Sequence, residues 1–382
     1  MKSVFQFICY NENGGSMTVL MYIGVYFFRF IYFFMKKLKT KNKIVFISKQ
    51  SDKTPLDFQM LKNEIMKRDK NIELVFINKR IEKKVFTSII NLKTYFKEMY
   101  HLATSKVCVT DGYNITISTL SHKKDLKIIQ IWHSLGAIKK FGCQSLNTKK
   151  QQIIAKIMCM HKNYDYIISC SNVMIKYYSE AFNCDKNKFV TIGLPRMDYI
   201  LTNKNKNIKK FYKKYKNLKS KKIILYVPTF RPNDNYKINE LIDTIDLKKY
   251  TLIVKKHPNM KCKISRIDDI YTCDDFSAVD LLPIADYVIT DYSAISLEAA
   301  ILEKKVYLYL YDYNDYKKNP GINLNLQKEF KYTFNDVNDL YNSILNDKYD
   351  LESIKKIKHK YLPNCDGNVT KKLADFILDK VK

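Results

Sequence analysis

"KIIQIWHSLGAIKKFG", residues 127–142, is the stretch on which the reading of this chain turns. It holds the only tryptophan, one of six histidines and two of nine glycines among 382 residues. The apolar run from Lys127 to Trp132 reads as a buried strand, and Gly136 as part of the turn after it. Scarce residue types gathered just past a strand sit where α/β proteins carry their ligand-binding and catalytic groups.

Other strands flank this one. "KIVFIS" (43–48), "IELVFI" (72–77), "KVCVT" (106–110), "YDYIIS" (164–169) and "KFVTIG" (188–193) alternate with helix-length stretches such as 55–68 and 171–182. A polar, basic stretch at 202–222 reads as an exposed helix or linker. The alternation restarts with "KIILYV" (222–227), "YTLIVKK" (250–256), "DYVIT" (286–290) and "KVYLYL" (305–310). Strands alternating with helices imply doubly wound parallel sheets. The expectation is therefore an α/β protein of two Rossmann-like lobes facing a cleft, residues 41–205 and 206–382, behind an N-terminal segment 1–40. No internal repeat is evident. No G-x-G-x-x-G or Walker sequence occurs, which removes the main support for dinucleotide or P-loop binding.

Composition narrows the class. With 46% hydrophobic residues the chain is globular, not disordered. The net charge of +29 comes almost wholly from lysine, since only six of 67 basic residues are arginine. Compositional drift and a device for an anionic partner both account for it. The nine cysteines lack any C-x-x-C pair or metal-ligand spacing, so neither a disulfide framework nor a metal site is expected, and no cofactor.

"MTVLMYIGVYFFRFIYFFMKKLK", 17–39, is apolar and aromatic, interrupted by Gly24 and Arg29 and closed by lysines. It is short for a span, and Arg29 near its middle disfavours full insertion. It has no small-residue cleavage site of a signal peptide. The expectation is a helix lying in the surface of an anionic membrane, with packing against the protein itself as the competing reading.

Five groups of scarce residues fall at predicted strand ends. Trp132 and His133 follow 127–132, with Gly136 and Lys139 beyond; a histidine there suits a general base near neutral pH. Arg196 follows "TIGLP", where a structural pair with Asp198 and a ligand contact are both open. Thr229 and Arg231 follow 222–227, and Arg231 offers a planar fork to phosphate oxygens. Lys255, Lys256 and His257 suit charge stabilisation on a departing phosphate. Thr290, Asp291, Ser293 and Ala294 open a helix whose first amides form a phosphate cradle, with Glu298 in reach of ribose hydroxyls. Asp291 would repel phosphate and is expected to orient backbone or the neighbouring histidine.

The ordered set "QIWHSLGAIKKFG", "GLPRMDY", "ILYVPTFR", "VKKHP" and "ADYVITDYSAISLEAA", with "YLYLYDYNDY" after it, resembles the CDP-glycerol glycerophosphotransferase family of teichoic acid primases and polymerases. The resemblance covers about 130–316 and implies a GT-B-type pair of lobes, with the acceptor side first and the CDP-polyol side second. It implies a peripheral enzyme on the cytoplasmic face of the membrane. The implied reaction moves glycerol phosphate from CDP-glycerol to a hydroxyl of a lipid-linked or polymeric acceptor and releases CMP. His133 falls on the family's expected base, His257 on its lysine–histidine–proline motif, and Arg231 and Ser293 on its phosphate-binding arginine and serine. Two departures stand out: Ala294 replaces a second serine, and "NPGI" (319–322) replaces an arginine–glycine.

Competing readings are a CDP-ribitol transferase, a GT-B glycosyltransferase using a nucleotide sugar, a catalytically silent membrane scaffold, and a basic nucleic-acid-binding protein. The last lacks any recognition motif or stacking platform, so no nucleic acid partner is expected.

Overall fold

The computed structural model describes residues 14–80, 89–231, 236–256, 260 and 263–382. The chain forms two compact units: Met1–Ser134, Lys140–Arg196 and Asn368–Lys382 make unit 1, and Leu135–Lys139 with Met197–Gly367 make unit 2. The second segment of unit 1 ends at Arg196, nine residues before the expected boundary at 205, and the last fifteen residues group with unit 1.

Unit 1 holds a six-stranded sheet of β1 (Lys43–Ser48), β2 (Glu73–Asn78), β3 (Val107–Thr110), β4 (Lys127–Gln130), β5 (Tyr166–Ser169) and β6 (Phe189–Thr191). Its order is β2-β1-β3-β4-β5-β6, and every pairing is parallel. β1 and β3 are buried along their whole length, as strands covered on both faces must be. The chain winds outward from β1 to β2, then crosses back to β3 and continues the other way. That reversal leaves an opening past the carboxyl ends of β1 and β3, where such sheets bind ligands.

The C-terminal helix Val369–Asp379 packs on the helix Leu56–Arg68. Arg68 Nε meets Asp375 at 2.9 Å, and Lys106 Nζ donates to the Val381 carbonyl at 2.7 Å. Those contacts explain why the last residues group with unit 1.

Unit 2 holds β7 (Lys222–Val227), β8 (Tyr250–Val254), β9 (Tyr287–Thr290), β10 (Lys305–Tyr309) and β11 (Thr333–Phe334). All are parallel, in the order β11-β10-β9-β7-β8. The same reversal occurs here, between β7 and β9. β11 is two residues long and leaves no readable apolar run. The stretch expected as an exposed helix or linker is in part a helix, Lys204–Lys214, anchored by the fully buried Phe211 edge-on to Phe276 at 5.6 Å.

The apolar N-terminal segment is the helix Gly14–Met35. Met21, Val25 and Tyr32 are buried against unit 1, spaced along one face. Arg29 Nε donates to the Thr119 carbonyl at 2.8 Å, and the Tyr32 hydroxyl bonds His122 Nδ1 at 2.9 Å. The opposite face, with Leu20, Ile23, Tyr26, Phe27, Phe30 and Phe34, is exposed.

Candidate active site

His133 lies three residues past the end of β4, with a half-buried ring. Nδ1 lies 2.8 Å from the main-chain carbonyl of Asp111. A carbonyl only accepts, so Nδ1 carries the proton in this bond and Nε2 is the basic nitrogen of the neutral ring. Asp111 itself follows β3 and is buried. Its Oδ2 accepts from Ser48 Oγ, at the end of β1, at 2.7 Å. Burial pushes the Asp111 carboxyl up to about 7, a rise reinforced by Asp57 and opposed by the Ser48 bond and by Arg196. Sequence reasoning missed Ser48 and Asp111, although "VTD" at 109–111 has a near copy in "ITD" at 289–291.

Trp132, expected on the substrate, is packed among aromatic rings of the protein. It is 4% exposed and lies in the left-handed region at φ 61°, a rare place for a bulky residue. β4 therefore stops at Gln130, two residues short of the expected strand. The indole stacks on Phe141 at 4.4 Å, meets Phe182 edge-on at 5.3 Å and lies 4.1 Å from the His133 ring. It is a packing wall for the imidazole.

Arg196, for which a structural pair and a ligand contact were both open, has Asp57 as its described partner, in place of the Asp198 considered from the sequence. Its backbone N–H donates to Oδ1 at 2.8 Å and its Nε to Oδ2 at 2.9 Å.

In unit 2 Arg231, expected on phosphate, is paired with carboxylates of the protein. Arg231 is 2% exposed. Nη1 donates to Asp291 Oδ2 at 2.8 Å and to the Thr229 carbonyl at 3.0 Å. Nε and Nη2 form a fork on Asp312, at 2.7 and 3.0 Å. Tyr311 lies under the guanidinium at 4.5 Å. Burial works against this charge, but the Asp291 and Asp312 carboxylates outweigh it and raise the pKa. A guanidinium enclosed this way locks the ends of β7, β9 and β10 together.

Asp291 also accepts from the Thr229 N–H at 3.0 Å and the Tyr292 N–H at 2.7 Å, so it orients backbone, as expected. Thr290 Oγ1 donates to the Val227 carbonyl at 2.8 Å, a strand-to-strand tie. Lys255 Nζ bonds the carbonyls of Thr272 and Cys273, each at 3.1 Å.

Other expected residues keep groups suited to a ligand. Ser293 and Ala294 are partly exposed at the start of the helix Ile295–Ile301, and their amides make no described hydrogen bond. Thr229 Oγ1 is buried without a partner. Glu298 is buried on the first turn. Gly136 is buried, and Lys139 forms an isolated bridge with Ile322. Asn323 binds the carbonyls of Ala137 and Ile138 beside them, at 2.9 and 2.8 Å. The "NPGI" segment thus leads into the seat for residues 137–139. His257 lies outside the described residues.

Two doubly wound parallel sheets, each with polar groups collected where its strand order reverses, define an α/β protein built to hold ligands past its strand ends. The chain belongs to the CDP-glycerol:poly(glycerophosphate) glycerophosphotransferase family, which it matches over residues 28–379. It is 28% identical to the teichoic acid ribitol-phosphate primase of Bacillus spizizenii over 361 residues, 88% of this chain and 90% of that one. It is 31% identical to the teichoic acid glycerol-phosphate primase of Bacillus subtilis over 294 residues, 74% and 75% of the two chains. Among solved structures, the wall teichoic acid polymerase TagF superposes with a TM-score of 0.73 at 17% identity, covering 97% of this chain and 98% of that one. A UDP-GlcNAc 2-epimerase from Neisseria meningitidis follows at 0.59 and 12%, over 88% and 100%. At these identities the two structures share the fold.

Proposed function

We propose that this protein is a CDP-glycerol glycerophosphotransferase of teichoic acid or related cell-surface polymer synthesis. It moves glycerol phosphate from CDP-glycerol to a hydroxyl of a membrane-linked acceptor and releases CMP. The observation that carries the reading is His133, in a chain of this family, with Nδ1 on a carbonyl and Nε2 left as the basic nitrogen. In this mechanism Nε2 takes the acceptor's proton as its oxygen attacks the β-phosphorus, and the bond to the CMP oxygen breaks in line. A positioned base of this kind contributes ~10²–10⁴-fold.

Unit 2 holds the nucleotide. The amides of Ser293 and Ala294, the Ser293 hydroxyl, Thr229 Oγ1, Lys256 and His257 take the diphosphate. Ala294 costs a hydroxyl but keeps its N–H, which is the donor the cradle needs. Arg231 acts from behind, by fixing Thr229 and Asp291.

The enzyme works from the cytoplasmic face of the membrane, attached through the helix Gly14–Met35. A helix crossing the bilayer could not also keep Arg29 on Thr119 and Tyr32 on His122 of a water-facing unit. Lying flat, it presents its exposed aromatic face to lipid, with Lys36, Lys37, Lys39 and Lys41 at its end for anionic headgroups.

CDP-ribitol is the second reading for the donor, favoured by the match to the ribitol-phosphate primase along 88% of this chain. One incubation with CDP-glycerol, CDP-ribitol and UDP-sugars, on vesicles carrying a lipid-linked acceptor, tests both. CMP released from CDP-glycerol supports the proposal, release from CDP-ribitol alone moves the assignment to the second reading, and turnover of UDP-sugars only overturns both.

A further inference from the structure

We propose that Asp111 and Gln130 are positioning residues that hold His133 in the tautomer a base requires. The inference rests on the reading of His133 as that base.

The turn Asp111–Gly112 is fixed from three sides. Ser48 Oγ donates to Asp111 Oδ2 at 2.7 Å. Gln130 Nε2 donates to the Gly112 carbonyl at 3.0 Å, and Thr110 Oγ1 reaches the same oxygen at 3.3 Å. A Cβ on residue 112 would lie 2.9 Å from Gln50 Nε2, so a side chain there would displace the end of Gln50.

From this hub one bond runs to the histidine and another to the residue before it. The Asp111 carbonyl takes His133 Nδ1–H directly. Gln130 uses its other end, Oε1, to accept the Trp132 N–H at 2.8 Å. That second bond holds Trp132 in its left-handed conformation, which turns the chain so that the next side chain returns to Asp111. One amide side chain therefore ties the carbonyl hub to the backbone that aims the ring.

Asp111 brings a charge to the same place. Its Oδ1 is buried with no partner, and the groups acting on it are Ser48 on β1, Asp57 on the helix Leu56–Arg68, and Arg196. Its carboxyl changes state near neutral pH, next to the peptide that holds the imidazole.

The test uses the full chain labelled with [15N]histidine, the His133 resonances being assigned with His133→Gln. In the wild type, Nδ1 should show a protonated shift and Nε2 an unprotonated one. Gln130→Leu and Ser48→Ala should mix the tautomers and lower kcat ~10–100-fold with KM for the CDP-alditol unchanged, the penalty of a misplaced base. Asp111→Asn should remove an ionisation near pH 7 from the kcat profile. Thermal unfolding checks that each variant is folded. Unaltered ring shifts and kcat in folded Gln130→Leu and Ser48→Ala overturn the proposal. A wild type that releases no CMP sinks the functional reading instead, and the ring shifts still decide this one.

Discussion

Asp111 and Asp291 occupy the same position in two different sheets. Each follows the strand reached after the order reverses, and each accepts a hydrogen bond from the end of the first strand of its unit: Ser48 Oγ at 2.7 Å for Asp111, the Thr229 N–H at 3.0 Å for Asp291. The shared role closes the gap between two carboxyl ends that would otherwise splay. From this common frame the units diverge: Asp111 lends its carbonyl to a histidine, and Asp291 pairs with an arginine.

Replacing His133 by alanine should remove the base and leave the diphosphate groups of unit 2 intact. CMP release should fall by ~10²–10⁴-fold, the range for one acid–base group, while CDP-glycerol still binds. Calorimetric titration beside a CMP assay separates the two, and undiminished turnover would take His133 out of the mechanism.

Arg231 should matter first to stability. Arg231→Met leaves Asp291 and Asp312 buried or half-buried without their cation, which costs about 3–5 kcal/mol by analogy with broken buried pairs. Urea unfolding should show the drop. Arg231→Lys keeps a charge but not the fork, and should recover part of it. A variant as stable as the wild type would contradict the lock.

The membrane face should behave as a lipid contact and not as a core. Phe27 and Phe30 are 53% and 64% exposed, so changing both to serine leaves unit 1 folded. Each phenylalanine buried in lipid contributes ~1.5–3 kcal/mol at most, so the double variant should float with phosphatidylglycerol vesicles at least ~10-fold less. Equal flotation would remove the helix from membrane binding.

Mild acid should destabilise the fold. Burial holds His101 and His122 down at about 4 and His161 at about 3, well below the ordinary 6.5. His122 shows why: Nε2 bonds the Ile117 carbonyl and Nδ1 the Tyr32 hydroxyl, which suits a neutral ring. As pH falls below 6.5 the unfolded chain takes up protons that the native state refuses, so stability is lost from there down toward pH 4. Each ring adds a slope of about 1.4 kcal/mol per pH unit, and Asp111, raised toward 7, opposes with one such slope. Denaturation between pH 6 and 4.5 should show the net loss, and Asp111→Asn should steepen it. A flat profile would mean that these rings are hydrated.

Ten of the eleven described strands were legible in the sequence as short apolar runs; the inner ones, such as β1 and β3, are continuous because they are covered on both faces. Val337–Asn346 and Val369–Asp379 carry helical patterns that say nothing of which sheet each covers; that depends on contacts with distant strands. The places of His133 and Ser293 just past β4 and β9 were legible for a related reason: the end of an apolar run marks the end of its strand. The carboxylate partners of Arg231 and Arg196 were not legible, because the same reasoning cannot tell a ligand's anion from a carboxylate of the protein.

The amino-acid order by itself determined the parallel α/β architecture, the apolar helix and which scarce residues fall at strand ends, since each is a local pattern of hydrophobicity and residue type. Tertiary structure alone decided what those residues face. Asp57 and Arg196 are 139 positions apart, and Arg231 and Asp312 are 81. Burial makes such pairs obligatory, because an unpaired charge inside a protein is too costly to leave, yet nothing in the spacing of the chain announces them.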